Sequence, residues 1–262
     1  MTLIAILVGT LIAGIGSVWL AAALSFGVLA KYTQHMLSLA AGALLATAFM
    51  HLLPEAFESQ AGAHQLFAAL LAGVVFFFLL DKAELWHHGH EHSHSHGHDH
   101  SHHGHGHDKE SKSGGWAVLA GDSVHCFGDG ILIASAFMAD MRLGIVASLA
   151  VLAHEVPHHM GDLVVLSQSS NNNRRSAIIK VSLAGAVTAL GGVVGYLLVE
   201  QLYDFLPFFL ILASSSFMYV ALADLIPQLQ KRASLRETAA QIAWLLIGIG
   251  LVTLISGIAH SH

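Results

Sequence analysis

Two short stretches of the chain concentrate residues with metal-binding side chains, and each lies inside a long apolar run. The first reads HCFGDG over residues 125–130, and the second reads HEVPHHMGD over residues 154–162. An ionisable group at membrane depth costs about 2.5–3.5 kcal/mol on insertion scales, so a cluster of such groups indicates a functional site. Imidazole, carboxylate and thiol groups together are typical ligands of divalent transition metals.

The spacing within the two stretches predicts two helices that face each other. Residues four apart lie on one face of a helix, and His125 and Asp129 have this spacing. His154 and His158 have it as well. Two such helices side by side would hold a divalent metal between them. The predicted ligands are His125, Cys126, Asp129, His154, Glu155 and His158, and His159 is assigned either to the metal site or to the path beside it.

Three residues outside these stretches are candidates for a metal path. His51 and Glu55 are four apart and lie on either side of Pro54, which lacks a backbone donor and favours a kink. Asp224 lies near the end of a later apolar segment, in the run ALADLIP. Polar helix ends at a membrane interface would also explain these residues, just as simple packing would explain Cys126, and the sequence leaves both interpretations open.

The composition is that of an integral membrane protein. Of the 262 residues, 55% are hydrophobic and 11% are charged, against about 25% charged in soluble domains. The formal net charge of −6 gives no reason to expect a nucleic-acid partner, and the one cysteine excludes an intrachain disulfide. We therefore predict a single all-α transmembrane domain over residues 1–262, surrounded by the lipid bilayer.

Eight segments are apolar over the roughly 20 residues that a membrane-spanning helix needs. They lie at residues 3–24, 35–57, 64–86, 116–139, 143–167, 177–200, 205–228 and 239–259. Lys and Arg concentrate in the loops after the first, third, fifth and seventh segments, and the positive-inside rule places these loops in the cytosol. Both termini are then extracytoplasmic, and the short termini fit a prokaryotic inner membrane.

A histidine-rich range, residues 87–115, separates the third and fourth segments. It contains 12 of the 21 histidines, mixed with Gly, Ser, Asp and Glu. Such a composition cannot form a core, and it predicts a disordered cytoplasmic loop that binds metals weakly at many sites. A metal buffer or sensor is favoured over an inert linker.

Together these motifs resemble the ZIP (Zrt/Irt-like) family of divalent metal transporters. The resemblance rests on HLLPE at 51–55, on His125 with Asp129-Gly130, and on the stretch 154–162. It is closest to the subgroup whose fifth helix carries His-Glu-x-Pro-His-Glu-x-Gly-Asp. It implies eight spans, uptake of zinc or a similar ion into the cytosol through a site between the fourth and fifth helices, and an acidic position toward the exit at Asp224. It also implies movement of one helix bundle against another and, in many members, a homodimer.

The chain departs from the family pattern at two positions. Cys126 stands where Asn is usual, and His159 stands where the subgroup has a second Glu. Both changes make the site softer and less anionic, which favours Zn²⁺ or Cd²⁺ over Fe²⁺ or Mn²⁺. No organic cofactor is expected.

Two other classes of protein fit parts of the same sequence. HEVPH at 154–158 matches the zincin signature H-E-x-x-H, in which two histidines bind zinc and the glutamate acts as a base. An intramembrane zinc protease would add Asp129 as a third ligand, although a proline inside the signature is unfavourable and the candidate ligands exceed the usual three. A metal sensor that binds without transport is the other alternative. A transporter, and not an enzyme, is the function that the sequence favours.

Overall fold

The computed structural model describes residues 1–25, 33–89, 110–169, 173–230 and 234–259. Within these ranges the chain is helical and contains no β-strand. Eight helices follow one another there, and they lie close to the eight predicted apolar segments. The all-α class predicted from the sequence is confirmed for this part of the chain.

The helices are numbered α1–α8 in chain order. α1 comprises Thr2–Leu11, Ile12–Gly16 and Ser17–Ser25, and α2 comprises Thr33–Thr47, Ala48–Leu52 and Leu53–Phe57. α3 is Ala63–Gly89, α4 is Glu110–Ala139, α5 is Met141–Ser169 and α6 is Arg174–Gln201. α7 comprises Tyr203–Phe205, Leu206–Tyr219, Val220–Leu225 and Ile226–Leu229, and α8 is Leu235–Ala259.

Three helices contain a π-helical turn: Ile12–Gly16 in α1, Ala48–Leu52 in α2 and Val220–Leu225 in α7. The turns in α2 and α7 lie just before Pro54 and Pro227. Proline has no N–H for the helical ladder, and π-helical turns are frequent at functional sites. The turn in α2 contains His51, and the turn in α7 contains Asp224.

The helices pack in two groups, α1 with α4, α5 and α6, and α2 with α3, α7 and α8. Glycine permits the closest approaches inside each group. A methyl group at Gly130 of α4 would overlap the carbonyl oxygen of Thr188 in α6, and one at Gly248 of α8 would overlap the carbonyl oxygen of Leu39 in α2. Small residues of this kind let helices pack closely in lipid, where van der Waals contact stabilises the pairs.

The main apolar core lies where the two groups meet. Leu44 of α2, Ile133 of α4, Val151 of α5 and Phe217 of α7 belong to it, and all four are buried. Burial of such side chains holds α4 and α5 against α2 and α7. The polar stretches of α4 and α5 therefore lie beside a packed core, inside the bundle.

Six helical segments in the described part of the chain are long and apolar enough to cross a membrane. They are Thr2–Leu24, Thr33–Phe57, Ala63–Lys82, Arg174–Gln201, Tyr203–Leu229 and Leu235–Gly257. α4 and α5 are not among them, because their ionisable residues lower their mean hydropathy. The chain is thus a multi-pass integral membrane protein.

The histidine-rich range 87–115 extends into both neighbouring helices. α3 continues to Gly89, and α4 begins at Glu110. The two ends of the predicted loop are therefore helical. Residues 90–109, which carry most of its histidines, lie outside the described residues.

Candidate metal centre

α4 and α5 are joined by a one-residue connection, Asp140. Its Oδ1 accepts a hydrogen bond from the backbone N–H of Arg142 at 2.8 Å, which caps the first turn of α5. Because α5 begins where α4 ends, the two helices run antiparallel and in contact. Positions at similar distances from Asp140 therefore lie opposite each other, which brings residues 122–129 beside residues 154–162.

Four side chains from these helices form the first donor set: His125, Asp129, His154 and Glu155, each with a ligand atom within 4.8 Å of the others. His154 Nε2 is 3.3 Å from Asp129 Oδ2 and 3.3 Å from Glu155 Oε1. His125 Nε2 is 3.3 Å from Glu155 Oε1 and 3.4 Å from His154 Nε2. His125 Nε2 and Asp129 Oδ2 are 3.8 Å apart.

These separations match the ligands of one tetrahedral ion. Zinc bonds to nitrogen and oxygen of about 2.0–2.2 Å place the corners of a tetrahedron about 3.3–3.6 Å apart. Four of the five distances fall at 3.3–3.4 Å. The first donor set can therefore take zinc with little movement of its side chains.

The nitrogen atom that His154 directs toward the first donor set carries a free lone pair. His154 Nδ1–H donates to the backbone carbonyl of Ala150 at 3.3 Å, so the neutral ring leaves Nε2 unprotonated. Asp129 Oδ2 and Glu155 Oε1 are buried and accept no hydrogen bond of good geometry from the described residues. Electron-rich atoms that face one another away from water are unfavourable without a cation between them.

A second donor set lies on the other side of Glu155 and comprises Asp122, Cys126, Glu155 and His159, all of them buried. Glu155 Oε2 is 3.1 Å from His159 Nε2 and 3.6 Å from Cys126 Sγ. Asp122 Oδ1 is 3.4 Å from His159 Nε2 and 3.6 Å from Cys126 Sγ. Glu155 thus joins the two sets, with Oε1 in the first and Oε2 in the second. The thiol makes the second set the softer one.

Ser17 of α1 orients the imidazole of His159. The single hydroxyl hydrogen of Ser17 is donated to the carbonyl oxygen of Gly14 at 2.6 Å. Ser17 Oγ, 3.0 Å from His159 Nδ1, therefore accepts a hydrogen bond from that nitrogen. The neutral His159 ring then presents an unprotonated Nε2 to Asp122 and Glu155. A hydrogen-bond partner on the non-ligating nitrogen is typical of metal-binding histidines.

A third donor set comprises Asp122, His158 and Asp162. His158 Nδ1 is 3.6 Å from Asp162 Oδ2. The His158 ring stacks on the His125 ring, with centroids 5.5 Å apart and planes at 12°. His158, predicted to bind beside His125 and His154, therefore touches His125 but directs Nδ1 toward Asp162.

The other predicted residues lie outside the three donor sets that the described residues form. His51 is half-buried, and its Nδ1 is 3.4 Å from the hydroxyl oxygen of Ser256 in α8. Glu55 is half-buried near the carboxylates of Glu58 and Asp140. Asp224 accepts a hydrogen bond from Gln228 Nε2 at 2.9 Å.

A cavity of about 390 Å³ connects the first donor set with Asp224. His125, Asp129 and His158 line one part of it, and Asp81, Tyr219 and Asp224 line another. The Tyr219 hydroxyl donates to Asp81 Oδ2 at 3.0 Å. The remaining wall is mostly apolar and comes from α3, α4 and α7: Phe76, Phe77, Leu80, Val124, Phe127, Gly128, Ile131, Leu132, Leu212, Ser216 and Val220. Helices of both packing groups line this space.

Three residues of the centre are absent from the predicted ligand list: Ser17, Asp122 and Asp162. Asp122 lies four residues before Cys126, and Asp162 lies four residues after His158. The helical spacing used for the other ligands would have identified both of them. No sequence pattern pointed to Ser17, because a serine in an apolar run is ordinary. Its partner His159 lies 142 residues further along the chain.

Comparison with known proteins places the chain among zinc transporters. A family model described as ZIP Zinc transporter matches residues 81–256, well over half of the chain. Zinc transporter ZIP10 of Danio rerio is 35% identical over 148 residues, which cover 54% of this chain and 17% of the relative. Zinc transporter ZIP4 of Homo sapiens is 33% identical over 137 residues, which cover 52% of this chain and 20% of the relative.

Zinc transporter ZIP13 of Pongo abelii matches along more of its length. It is 26% identical over 281 residues, which cover 97% of this chain and 79% of the relative. The chain therefore spans about a fifth of the length of the ZIP10 and ZIP4 relatives and about four fifths of the ZIP13 relative.

Proposed function

Since this chain belongs to the ZIP zinc transporter family, we propose that it moves zinc across a membrane through the first donor set. The observation that carries the proposal is the arrangement of His125, Asp129, His154 and Glu155. Four donors from two helices lie at the separations of tetrahedral zinc ligands. The lone pair of His154 and two buried carboxylate oxygens converge there, and a divalent cation satisfies all of them.

In this proposal α4 and α5 cross the membrane with the six apolar helices. They have 30 and 29 residues, more than the roughly 20 that a span requires. The distribution of Lys and Arg supports a topology of eight spans with both termini outside the cytosol. The resemblance to the family supports movement of zinc into the cytosol. The histidine-rich range 87–115 is then cytoplasmic, where its weak sites buffer the released metal.

The two packing groups provide a means of alternating access. Zinc arrives hydrated, and imidazoles and carboxylates replace its waters at about 2.0–2.2 Å. Movement of α1, α4, α5 and α6 against the other four helices exposes the site to one side and then to the other. The cavity beside His125 and Asp129 lies between the groups, so it opens or closes as they move. Asp224 serves as a stop along this cavity, and His51 with Glu55 serves as a stop elsewhere on the path.

The second donor set adjusts the choice of metal. Cys126 and His159 act there as ligands together with Glu155, and Asp122 completes the set. Thiolate and imidazole favour Zn²⁺ and Cd²⁺ over Fe²⁺ and Mn²⁺. Cadmium is therefore proposed as a second substrate, and iron and manganese as poor ones.

The zincin alternative meets an obstacle in the geometry. A zincin needs His154 and His158 on one zinc ion, with Glu155 free to act as a base. Here His154 belongs to the first donor set and His158 to the third, while Glu155 joins the first and second. Since the chain is a member of a transporter family, the protein is not an enzyme.

We further propose that the protein is a homodimer and that it lies in the cell membrane, which is the inner membrane of a prokaryote. Family resemblance supports the dimer, and the positive-inside pattern supports the orientation. Crosslinking in native membranes tests the dimer, and labelling of single introduced cysteines from each side of the membrane tests the orientation.

Radiolabelled zinc flux into proteoliposomes tests the transport proposal. Wild type is compared with His154→Ala, and with His64→Ala as a matched control, because His64 is an exposed residue at the start of α3. We expect flux in the wild type and the control and none in His154→Ala, at equal reconstitution. Wild-type flux in His154→Ala would remove the site assignment. Zinc binding without flux in the wild type would favour the metal sensor instead.

A further inference from the structure

The third donor set lies beyond the first one along α4 and α5, toward the C-terminal end of α5. We propose that Asp122, His158 and Asp162 form a separate metal station, from which zinc leaves the protein after the first donor set. This inference rests on the proposed transport function. Asp162 is the new ligand. Asp122 belongs to this station and to the second donor set, and His158 passes the ion from the first set to the station.

The proposed station lies at one end of a row of candidate ligands, here called the ladder, that follows the antiparallel helices α4 and α5. On α5, His154, His158 and Asp162 are successive fourth residues, which a helix places on one face about 6 Å apart. On α4, Asp129, His125 and Asp122 follow one another in the same direction, toward the C-terminal end of α5. The whole ladder spans about 12 Å along α5. It points toward the start of α6, where Arg174 and Arg175 lie, and the positive-inside rule assigns these charges to the cytosol.

Two buried oxygen atoms indicate that this end of the ladder needs a cation. Asp122 is 4% exposed, and neither its Oδ2 nor Asp162 Oδ2 accepts a hydrogen bond within the described part of the chain. An ionised carboxylate is costly to bury without a partner. His158 Nδ1, at 3.6 Å from Asp162 Oδ2, completes a group of three ligand atoms within 4.8 Å of one another.

The exposure of His158 suits release better than tight binding. Its side chain is 39% exposed, against 1% for His154 in the first donor set. Three protein ligands beside solvent leave a coordination position for water, as in metal sites that exchange ligands. A methyl group at the neighbouring Gly161 would meet no atom within 4 Å, so space for hydration is available next to Asp162.

His158 also contacts the first donor set, which makes it suited to transfer. Its ring stacks on His125 at 5.5 Å between centroids, while its Nδ1 points toward Asp162. A rotation about the side-chain bonds of His158 carries one imidazole between an ion held with His125 and an ion held with Asp162. Zinc thereby gains ligands of the station before it loses all those of the first set.

The test uses Asp162→Asn, which keeps the shape of the side chain and removes its charge. Zinc binding to the purified protein is titrated to saturation, and radiolabelled zinc flux is measured in proteoliposomes. We expect the tight class of zinc sites to keep its affinity within about twofold, a weaker class to disappear, and the maximal flux to fall about 10-fold or more. Asp162→Glu should restore much of the flux. Asp204→Asn, which changes an exposed acid in the first turn of α7, should match the wild type.

The outcomes separate this station from the transport proposal. Unchanged binding and flux in a well-folded Asp162→Asn would overturn the station and leave transport intact. Loss of the tight class would also overturn it, since Asp162 would then support the first donor set. If the wild type itself shows no flux, transport fails, and the weaker zinc class still decides whether the station exists. Should Asp162→Asn not fold, Asp162→Ser is read in the same two assays with the same expectations.

Discussion

The α4/α5 pair and the π-helical turns of α2 and α7 present ionisable groups to the bundle in different ways. In the pair, donors from two helices converge within 4.8 Å at common points. In the turns, His51 is paired with Ser256 at 3.4 Å, and Asp224 accepts from Gln228 on its own helix at 2.9 Å. Four converging ligands can replace the water of an ion, whereas one or two can only attract an ion that keeps its water. We therefore propose that the pair binds zinc and that the turns guide it.

Glu155→Gln should have the largest effect on zinc binding, because this carboxylate joins the first and second donor sets. We expect zinc affinity to fall on the order of 100-fold, since even partners outside the ligand shell change affinity 10–100-fold. Competition with a chelator of known affinity measures the change. A protease would keep its zinc in this variant and lose only turnover, so retention of zinc would contradict the transporter assignment of Glu155.

Cys126→Asn tests whether the thiol sets the preference for soft metals. Asparagine replaces a sulfur ligand by an oxygen ligand, which cadmium accepts less readily than zinc. The ratio of cadmium to zinc uptake should fall about 10-fold. Uptake of both isotopes from one mixture measures the ratio directly. An unchanged ratio would mean that Cys126 only packs between α4 and its neighbours.

Ser17→Ala removes the hydrogen bond that orients His159 and leaves the ligands in place. A buried hydrogen bond of this kind contributes about 1 kcal/mol, or roughly fivefold in affinity. We expect that loss for cadmium, which favours the second donor set, and a smaller one for zinc. Thr10→Val provides the comparison. It removes a buried hydroxyl on the same helix whose hydrogen bonds, among the described residues, go to Ile6 and Leu7 of α1. Equal losses in the two variants would argue against a role for Ser17.

Asp224→Asn should have the smallest effect on affinity. Its carboxylate lies outside the donor sets, so zinc affinity should stay within about twofold of the wild type, as for substitutions away from a site. Flux should nevertheless fall, because the cavity that His125 and Asp129 line loses the carboxylate that is proposed to hold zinc on its path. Asp129→Asn serves as the contrasting variant, with losses in both assays. A loss of affinity in Asp224→Asn as large as that in Asp129→Asn would erase the distinction between pair and turns.

Much of the fold follows from the sequence, because a bilayer demands long apolar helices. The predicted segment 116–139 ends where α4 ends, and the predicted segment 177–200 lies within α6. The π-helical turns could not be predicted, since their form depends on how α2 and α7 pack as well as on Pro54 and Pro227. The pairing of α4 with α6 at Gly130 and Thr188 also escaped prediction, because glycines are frequent throughout the chain.

The candidate metal centre likewise has features that the sequence predicted and features that it could not predict. The helical spacing predicted that His125, Asp129 and His154 would lie on two facing helices, and the structure brings these side chains together. Spacing could not tell that Glu155 directs its two oxygens to different donor sets, or that His158 turns toward Asp162. Those features depend on side-chain rotation within a packed interior. Nor could it bring Ser17 to His159 from 142 residues away.

The sequence by itself determined the membrane class, the helical segments and the metal chemistry, because hydropathy, length and ligand type are local properties. The tertiary structure alone decided which candidate ligands lie close enough to share an ion and which nitrogen atoms of His154 and His159 face the other ligands. It also decided that the donors form a ladder along α4 and α5. Coordination depends on distances of a few ångströms between helices, and only the packing of the whole bundle sets those distances.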